Sequence, residues 1–309
     1  MQAFETARLI RENIEKVIVG KTAEINLILA ALLAGGHVLL DDVPGTGKTM
    51  LAKALAKSID CAFGRVQFTP DLLPSDLTGI NYYNPKTSEF IFRKGALFAN
   101  ILLADEINRA TPRTQSGLLE SMEERQITVD GETHKLKPPY FVIATQNPVE
   151  TQGTFPLPEA QLDRFLIKLT LGYPTGKQSA DIITKHMAGT PIDEIRAVCD
   201  GAALLEAQKA VRDVHVHPEL VAYIVELTEM TRATERVTLG ASTRGGIALA
   251  GMCRAYAAIC GRGFVIPDDV QFLLPYVYAH RLIYRGGDSP FDLLGEIMRS
   301  VKTPSEDWR

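Results

Sequence analysis

Residues 38–49 read Val-Leu-Leu-Asp-Asp-Val-Pro-Gly-Thr-Gly-Lys-Thr: an apolar run enters a loop containing two glycines and leaves it on a lysine and a threonine. With a strand before the loop and a helix after it, the backbone amides of Gly45, Thr46, Gly47, Lys48 and Thr49 converge on an anion at the helix N-terminus. Lys48 adds a point charge suited to β- and γ-phosphate oxygens, and the Thr49 hydroxyl is an oxygen donor of the kind that ligates magnesium. Such loops usually open with glycine, whereas here Asp42 holds that place. A carboxylate facing phosphate would oppose binding, so Asp42 is expected to point away.

A second run, Asn100 to Ala104, ends in the adjacent carboxylates Asp105 and Glu106. At the C-terminal edge of a strand beside the phosphate loop, Asp105 suits the magnesium shell and Glu106 is placed to polarise an attacking water. A third run, Tyr140 to Thr145, leads to Asn147 in the segment ATQNP. An amide there can hold both water and γ-phosphate without adding charge, although an Asn-Pro turn explains the same residues.

These groups need elements to hold them. Five short apolar runs, His37 to Asp41, Gly64 to Phe68, Asn100 to Ala104, Tyr140 to Thr145 and Phe165 to Thr170, alternate with helical patterns such as Met50 to Ser58. Near-continuous apolarity over about five residues predicts strands of a parallel sheet covered by helices on both faces, an α/β domain. Two stretches break the alternation: 76–95 and 126–136 read as β-hairpins, the second around Asp130-Gly131. After Gly172-Tyr173-Pro174 only helix patterns remain, including Leu204 to Val211, Pro218 to Thr231, Thr243 to Cys260 and Pro267 to Tyr284. A change of period at a Gly/Pro junction places a boundary there, giving 1–172 as the nucleotide-binding domain and 173–309 as a small all-α domain.

Taken together, DVPGTGKT resembles the Walker A motif, ILLADE resembles Walker B, and Asn147 matches the sensor 1 residue of AAA+ ATPases. The strings DEINRATPRTQSGLLESMEERQITVDG, FVIATQNPVETQGTFPLPEAQLDRF and GASTRGG resemble the MoxR family more specifically, over nearly the whole chain. That resemblance implies a P-loop NTPase sheet of order 5-1-4-3-2 with the α-helical domain as a lid, and ATP with Mg2+ as cofactors. It implies an arginine finger at Arg164, acting from a neighbouring subunit, and a sensor 2 arginine at Arg244, acting from the lid of the same subunit, although a pairing with a surface carboxylate accounts for each arginine too. Val17, Ile18 and Val19 match the adenine-side loop, although a plain core segment accounts for them too. Gln67 takes the place of the polar switch residue that holds the base Glu inactive. The hairpins match the helix-2 and pre-sensor-1 inserts of this clade, with Tyr82, Tyr83 and Phe92 as candidates for gripping a protein client, although packing within the hairpins accounts for at least some of them.

The same resemblance implies a homo-oligomeric ring, a hexamer, with chaperone-like work on protein complexes and a separate partner carrying a von Willebrand factor A domain. Two rivals stay open: the ATPase subunit of a metal-chelatase-type machine, and a nucleotide-gated scaffold with little turnover. A formal charge of -4 gives no basic footprint for nucleic acid, which weighs against a DNA motor. The longest apolar run, Leu27 to Ala34, falls short of the roughly 18–20 residues of a spanning helix. With no signal-peptide pattern at the amino terminus, a cytoplasmic protein is expected. Cys61, Cys199, Cys253 and Cys260 form no metal-ligand or CxxC spacing and are read as buried free thiols.

Overall fold

The computed structural model describes residues 2–148, 153–286 and 289–305. Helices α1 (Gln2–Glu15) and α2 (Thr22–Leu33) precede β1 (Val38–Asp41), α3 (Lys48–Ser58), β2 (Phe63–Gln67) and α4 (Pro74–Thr78). A hairpin, β3 (Gly79–Asn84) and β4 (Glu89–Lys94), leads to β5 (Ile101–Asp105) and α5 (Pro112–Glu124). A second hairpin, β6 (Gln126–Val129) and β7 (Glu132–Lys135), is followed by β8 (Phe141–Gln146), α6 (Glu159–Leu162) and β9 (Ile167–Leu169). Next come α7 (Gly176–Ala188), α8 (Pro191–Glu194), α9 (Gly201–Val211), α10 (Pro218–Ala233) and β10 (Val237–Leu239). The chain closes with α11 (Thr243–Ile259), α12 (Pro267–Tyr278), β11 (Ile283–Tyr284) and α13 (Pro290–Ser300).

The five main strands pair in parallel in the order β2-β5-β8-β1-β9. Counted among themselves in chain order this is 5-1-4-3-2 read from the other edge, as the resemblance implied. Their apolar runs supply two cores at once. Val38, Leu40, Ile101, Leu103, Phe141 and Ile143 face one side, while Leu39, Leu102, Ala104, Val142 and Ala144 face the other. The second face packs on Leu118, Leu119 and Met122 of α5. The first packs on α1 to α3, and the same cluster continues into Leu249, Met252, Leu273 and Leu274 of α11 and α12. Helix α2 joins the two halves: every residue from Leu27 to Leu33 is buried, as expected for a helix apolar all round. Each such leucine contributes about 1.5–3 kcal/mol through its removal from water.

The carboxyl-terminal part is helical with one exception. A two-stranded antiparallel ribbon, β10 with β11, occurs where only helix was expected, and the helix expected to run to Tyr284 ends at Tyr278. Strands of two and three residues are too short to show a period of two.

At the starting edge of the sheet, His37 is buried. Its Nδ1 accepts from the Val142 amide at 3.0 Å, and its Nε2 lies 3.1 Å from the Met122 carbonyl, which makes Nε2 the protonated nitrogen. Burial first, then the nearby Arg125 guanidinium, holds its pKa down to about 3. The unfolded chain, with a pKa near 6.5, therefore binds a proton that the folded one refuses, and stability falls as pH drops from about 6.5 toward 3. The expected slope is about 1.4 kcal/mol per pH unit for this one group. Urea titrations of wild type and His37→Gln at successive pH values from 7 to 4 should show the two curves converging as the pH falls.

Candidate active site

The loop after β1 has the backbone that its glycines allow. Gly45 and Gly47 lie at φ 86° and 91°, in the left-handed region where an L side chain is strained, and Gly47 caps the N-terminus of α3. Lys48 Nζ donates to the carbonyl oxygens of Asp42 and Val43, at 2.9 Å each. The Asp42 carboxylate does point away from the loop: Oδ1 accepts from the Val43 amide at 3.0 Å, and Oδ2 accepts from Leu171 and Gly172 at 2.8 and 3.1 Å. Val17, Ile18 and Val19 line one groove with Gly45, Thr46, Gly47 and Met50, closed on the far side by Pro174 and by Ile182 and His186 of α7. An apolar wall beside a phosphate loop suits a purine base.

Asp105 ends β5 beside β8 and Glu106 follows it, at the edge where β1 enters that loop. Thr145 joins them. Its hydroxyl donates to Asp105 Oδ1 at 2.7 Å and accepts from the Glu106 amide at 2.8 Å. From β2, Arg65 Nη2 donates to Asp105 Oδ2 at 2.8 Å, and Gln67 Nε2 donates to Glu106 Oε2 at 2.8 Å. Arg109 Nε lies 3.2 Å from the same oxygen of Glu106. Glu106 has φ 56°, a left-handed conformation that is costly for a side-chain-bearing residue and concentrates at functional positions. Asn147 is buried just beyond the end of β8, at this same edge.

The two arginines assigned by resemblance sit at the other edge. Arg164 Nη2 and Arg244 Nη1 pair with the two oxygens of one carboxylate, Glu123, at 3.2 and 3.0 Å. Glu123 lies in the last turn of α5, and its neighbours lock that end to the start of the sheet: Met122 O accepts from His37, and Arg125 donates to the carbonyls of Tyr140 and Gly35. Strands of four to six residues, at about 3.3 Å per residue, put the two edges some 13–20 Å apart. Arg244 therefore does not reach the phosphate loop of its own subunit, contrary to the expectation for it. The cause is the packing of α11 on α2 and the buried Arg281, whose Nε meets Asp163 at 2.7 Å and whose Nη2 donates to Phe165 O at 2.7 Å. Arg244 is 3.6 Å from that same Asp163.

The hairpins touch each other. Phe92 stacks on His134 with ring centroids 4.1 Å apart, and Asn81 Nδ2 donates to Asp130 Oδ2 at 2.9 Å. Phe92 is thus packing within the inserts. The aromatics left outward are Tyr82, Tyr83 and Phe90, the last 74% exposed and overlooked in the sequence. Of the cysteines only Cys253 is buried; Cys61 and Cys199 are partly so and Cys260 is exposed, which corrects the expectation for them. Burial pushes the thiols of Cys61 and Cys199 up to about 11.

Residues 37–167 match the family described as "ATPase family associated with various cellular activities (AAA)", and 229–297 match the AAA lid domain. The chain is 40% identical to "Chaperone MoxR1" of Mycobacterium tuberculosis, over 94% of this chain and 80% of that protein. The chain belongs to the MoxR family of AAA+ ATPases. It is 31% identical to "Protein MoxR" of Methylorubrum extorquens, over 96% and 95% of the two chains, and 50% identical to the Bacillus subtilis protein YeaC, over 95% and 93%. A crystal structure from Cytophaga hutchinsonii superposes with a TM-score of 0.90 at 35% identity, covering 98% of this chain and 97% of that one. This MoxR-family protein binds nucleotide and hydrolyses ATP, on the P-loop sheet and lid described above.

Arg65 lies outside the strings quoted from the sequence, and Arg109, Glu123 and Thr145 lie within them without a role having been assigned. Thr145 alone was open to inference, since it sits two residues before Asn147 on the strand beside Asp105. Thr145→Val keeps the shape but strands Asp105 Oδ1 and the Glu106 amide. It should cost about 1–3 kcal/mol by urea denaturation and reduce steady-state phosphate release.

Proposed function

We propose that this protein is a magnesium-dependent ATPase acting in a closed ring of identical subunits, a hexamer, that spends the cycle on remodelling or maturing protein complexes. The observation that carries the ring is the position of Arg164 and Arg244 on Glu123, across the sheet from their own phosphate loop. Their guanidiniums suit the developing charge on a γ-phosphate, and in this geometry both serve the phosphate site of the neighbouring subunit. With Arg281 they bring three guanidiniums against the two carboxylates Glu123 and Asp163. That leaves an excess of positive charge for an anion.

Within one subunit, Gly45 to Thr49 cradle the phosphates, Val17 to Val19 take the base, Glu106 polarises the water and Asn147 orients it. Hard oxygen donors fit magnesium, and Thr49 and Asp105 supply a hydroxyl and a carboxylate for it. When bound, the ion neutralises charge on the β- and γ-phosphate oxygens. The bond from Gln67 to Glu106 Oε2 occupies the oxygen that would accept the water's proton, so Gln67 restrains the base until it lets go.

We divide the chain at 172, with 1–172 as the nucleotide domain and 173–309 as the lid. The exposed Tyr82, Tyr83 and Phe90 form the surface for a protein client. The name of the mycobacterial relative supports the chaperone-like role; the von Willebrand factor A partner rests on the family resemblance, and the cytoplasm is the proposed location. Among the described residues no helix is long and apolar enough to cross a membrane.

Mixing experiments test the ring. Arg164→Ala and Glu106→Gln should each be nearly inactive alone, and a mixture should regain phosphate release because a junction can combine the intact Glu106 of one subunit with the intact Arg164 of the next. Arg244→Ala mixed with Glu106→Gln should recover in the same way; no recovery would put Arg244 back in its own subunit's site. Gln67→Ala should raise basal turnover several-fold without tightening ATP binding, and unchanged turnover would leave Gln67 a bystander.

A further inference from the structure

Helix α7 carries two residues that close the base-side groove, yet it buries none of its own side chains. Such a helix gains almost nothing from apolar burial, and its place over the groove depends on polar tethers. Two lie along it: Gln178 Nε2 donates to Gly20 O at 3.3 Å, and Lys185 Nζ donates to Lys16 O at 3.0 Å. The others hold the segment just before it. Lys21 Nζ donates to the carbonyls of Leu171 and Tyr173, and Asp42 Oδ2 accepts from the amides of Leu171 and Gly172.

We infer that Asp42 is a positioning residue that ties the phosphate loop to the segment 171–174 and so sets how α7 closes over the base of the nucleotide. Its carboxylate is 2% exposed and takes three main-chain amides, one from the loop and two from the segment beyond β9. Three donors compensate a buried charge that would otherwise be costly. Glycine at this position could shape the loop but could not reach residue 171. The phosphate end meets the same residue from the other side, because Lys48 Nζ donates to the Asp42 main-chain carbonyl at 2.9 Å. Asp42 thereby joins the two ends of the nucleotide site.

This inference rests on the reading that the groove between Val17 to Val19 and α7 takes the base. Affinities for ATP and for inorganic tripolyphosphate, which lacks a base, are to be compared in wild type, Asp42→Gly and Asp42→Asn. Asn keeps the size but offers its NH2 group to donors. Wild type should prefer ATP. Both variants should weaken ATP about tenfold, the scale of one net hydrogen bond to a charged group, and change tripolyphosphate by less than about twofold. Parallel weakening of both ligands would make Asp42 a loop residue only and overturn the proposal, as would no change in either. A wild type without preference for ATP would overturn the groove reading and this inference with it. If neither variant folds, hydrogen exchange on the wild type decides: ATP should slow exchange at 171–173 and along α7 while tripolyphosphate slows it only at 45–49, and equal protection by both ligands overturns the proposal.

Discussion

The site depends on the parallel alignment of β5, β8 and β1. Because these strands run the same way and pair in register, Ala104 opposite Ala144 and Asp41 opposite Gln146, their C-terminal ends fall at one edge. The groups that follow each strand arrive together there: the phosphate loop after β1, two carboxylates at the end of β5, and Asn147 after β8. Thr145 makes the register chemical, since one buried hydroxyl both donates to Asp105 and accepts from the Glu106 amide. A one-residue slip would turn Thr145 to the opposite face and break both bonds. β2 then adds a second layer of control from the outer side: Arg65 and Gln67, two residues apart and so on one face of the strand, hold Asp105 and Glu106 respectively.

The opposite edge has the complementary composition. His37, Arg125, Arg164, Arg244 and Arg281 gather where the strands begin, and the carboxylates there are Glu123 and Asp163. In the ring proposed above, a subunit with phosphate-binding groups on one edge and arginines on the other would meet its neighbour through a heterologous contact. Copies stacked head to tail bring the unlike edges together, and such contacts close into rings when the rotation permits. Arg281 differs in kind from its neighbours. Its side chain is nearly buried and bonded to main-chain carbonyls at the start of β9, so it welds α12 to the sheet, while Arg244 stays half-exposed.

Much of this was legible because it is local. The phosphate loop, the strand-end carboxylates and Asn147 are each contiguous with an apolar run, and a run of about five residues between helical patterns is long enough for a buried strand and too short for a helix. The Asp130-Gly131 turn, both residues of which have positive φ, was also within reach of short-range rules. What stayed hidden depends on long-range pairing. Nothing near Glu123 in the chain says that two arginines, one in each half of the protein, will share it. The side of the sheet on which Arg244 lies was unreadable for the same reason, because it follows from how α11 packs on α2 and not from GASTRGG. The ribbon of β10 and β11 was lost to brevity.

The hairpins show how a surface feature is bound to the chemistry beneath it. One follows β2, which carries Gln67, and the other precedes β8, which carries Thr145; these are the two strands that flank β5. The stack of Phe92 on His134 and the bond from Asn81 to Asp130 make the hairpins a single body. That body is anchored through its two stems to the strands on either side of Asp105 and Glu106. The client surface proposed at Tyr82, Tyr83 and Phe90 is thereby joined to the residues that hold both carboxylates, along the chain through α4 to β2 and across the Phe92–His134 stack to β8. The packed core on each face of the sheet resists bending of the strands themselves. The compliant part of this route is the side-chain layer, Gln67 on Glu106 above all, which can change partner without unpairing the sheet.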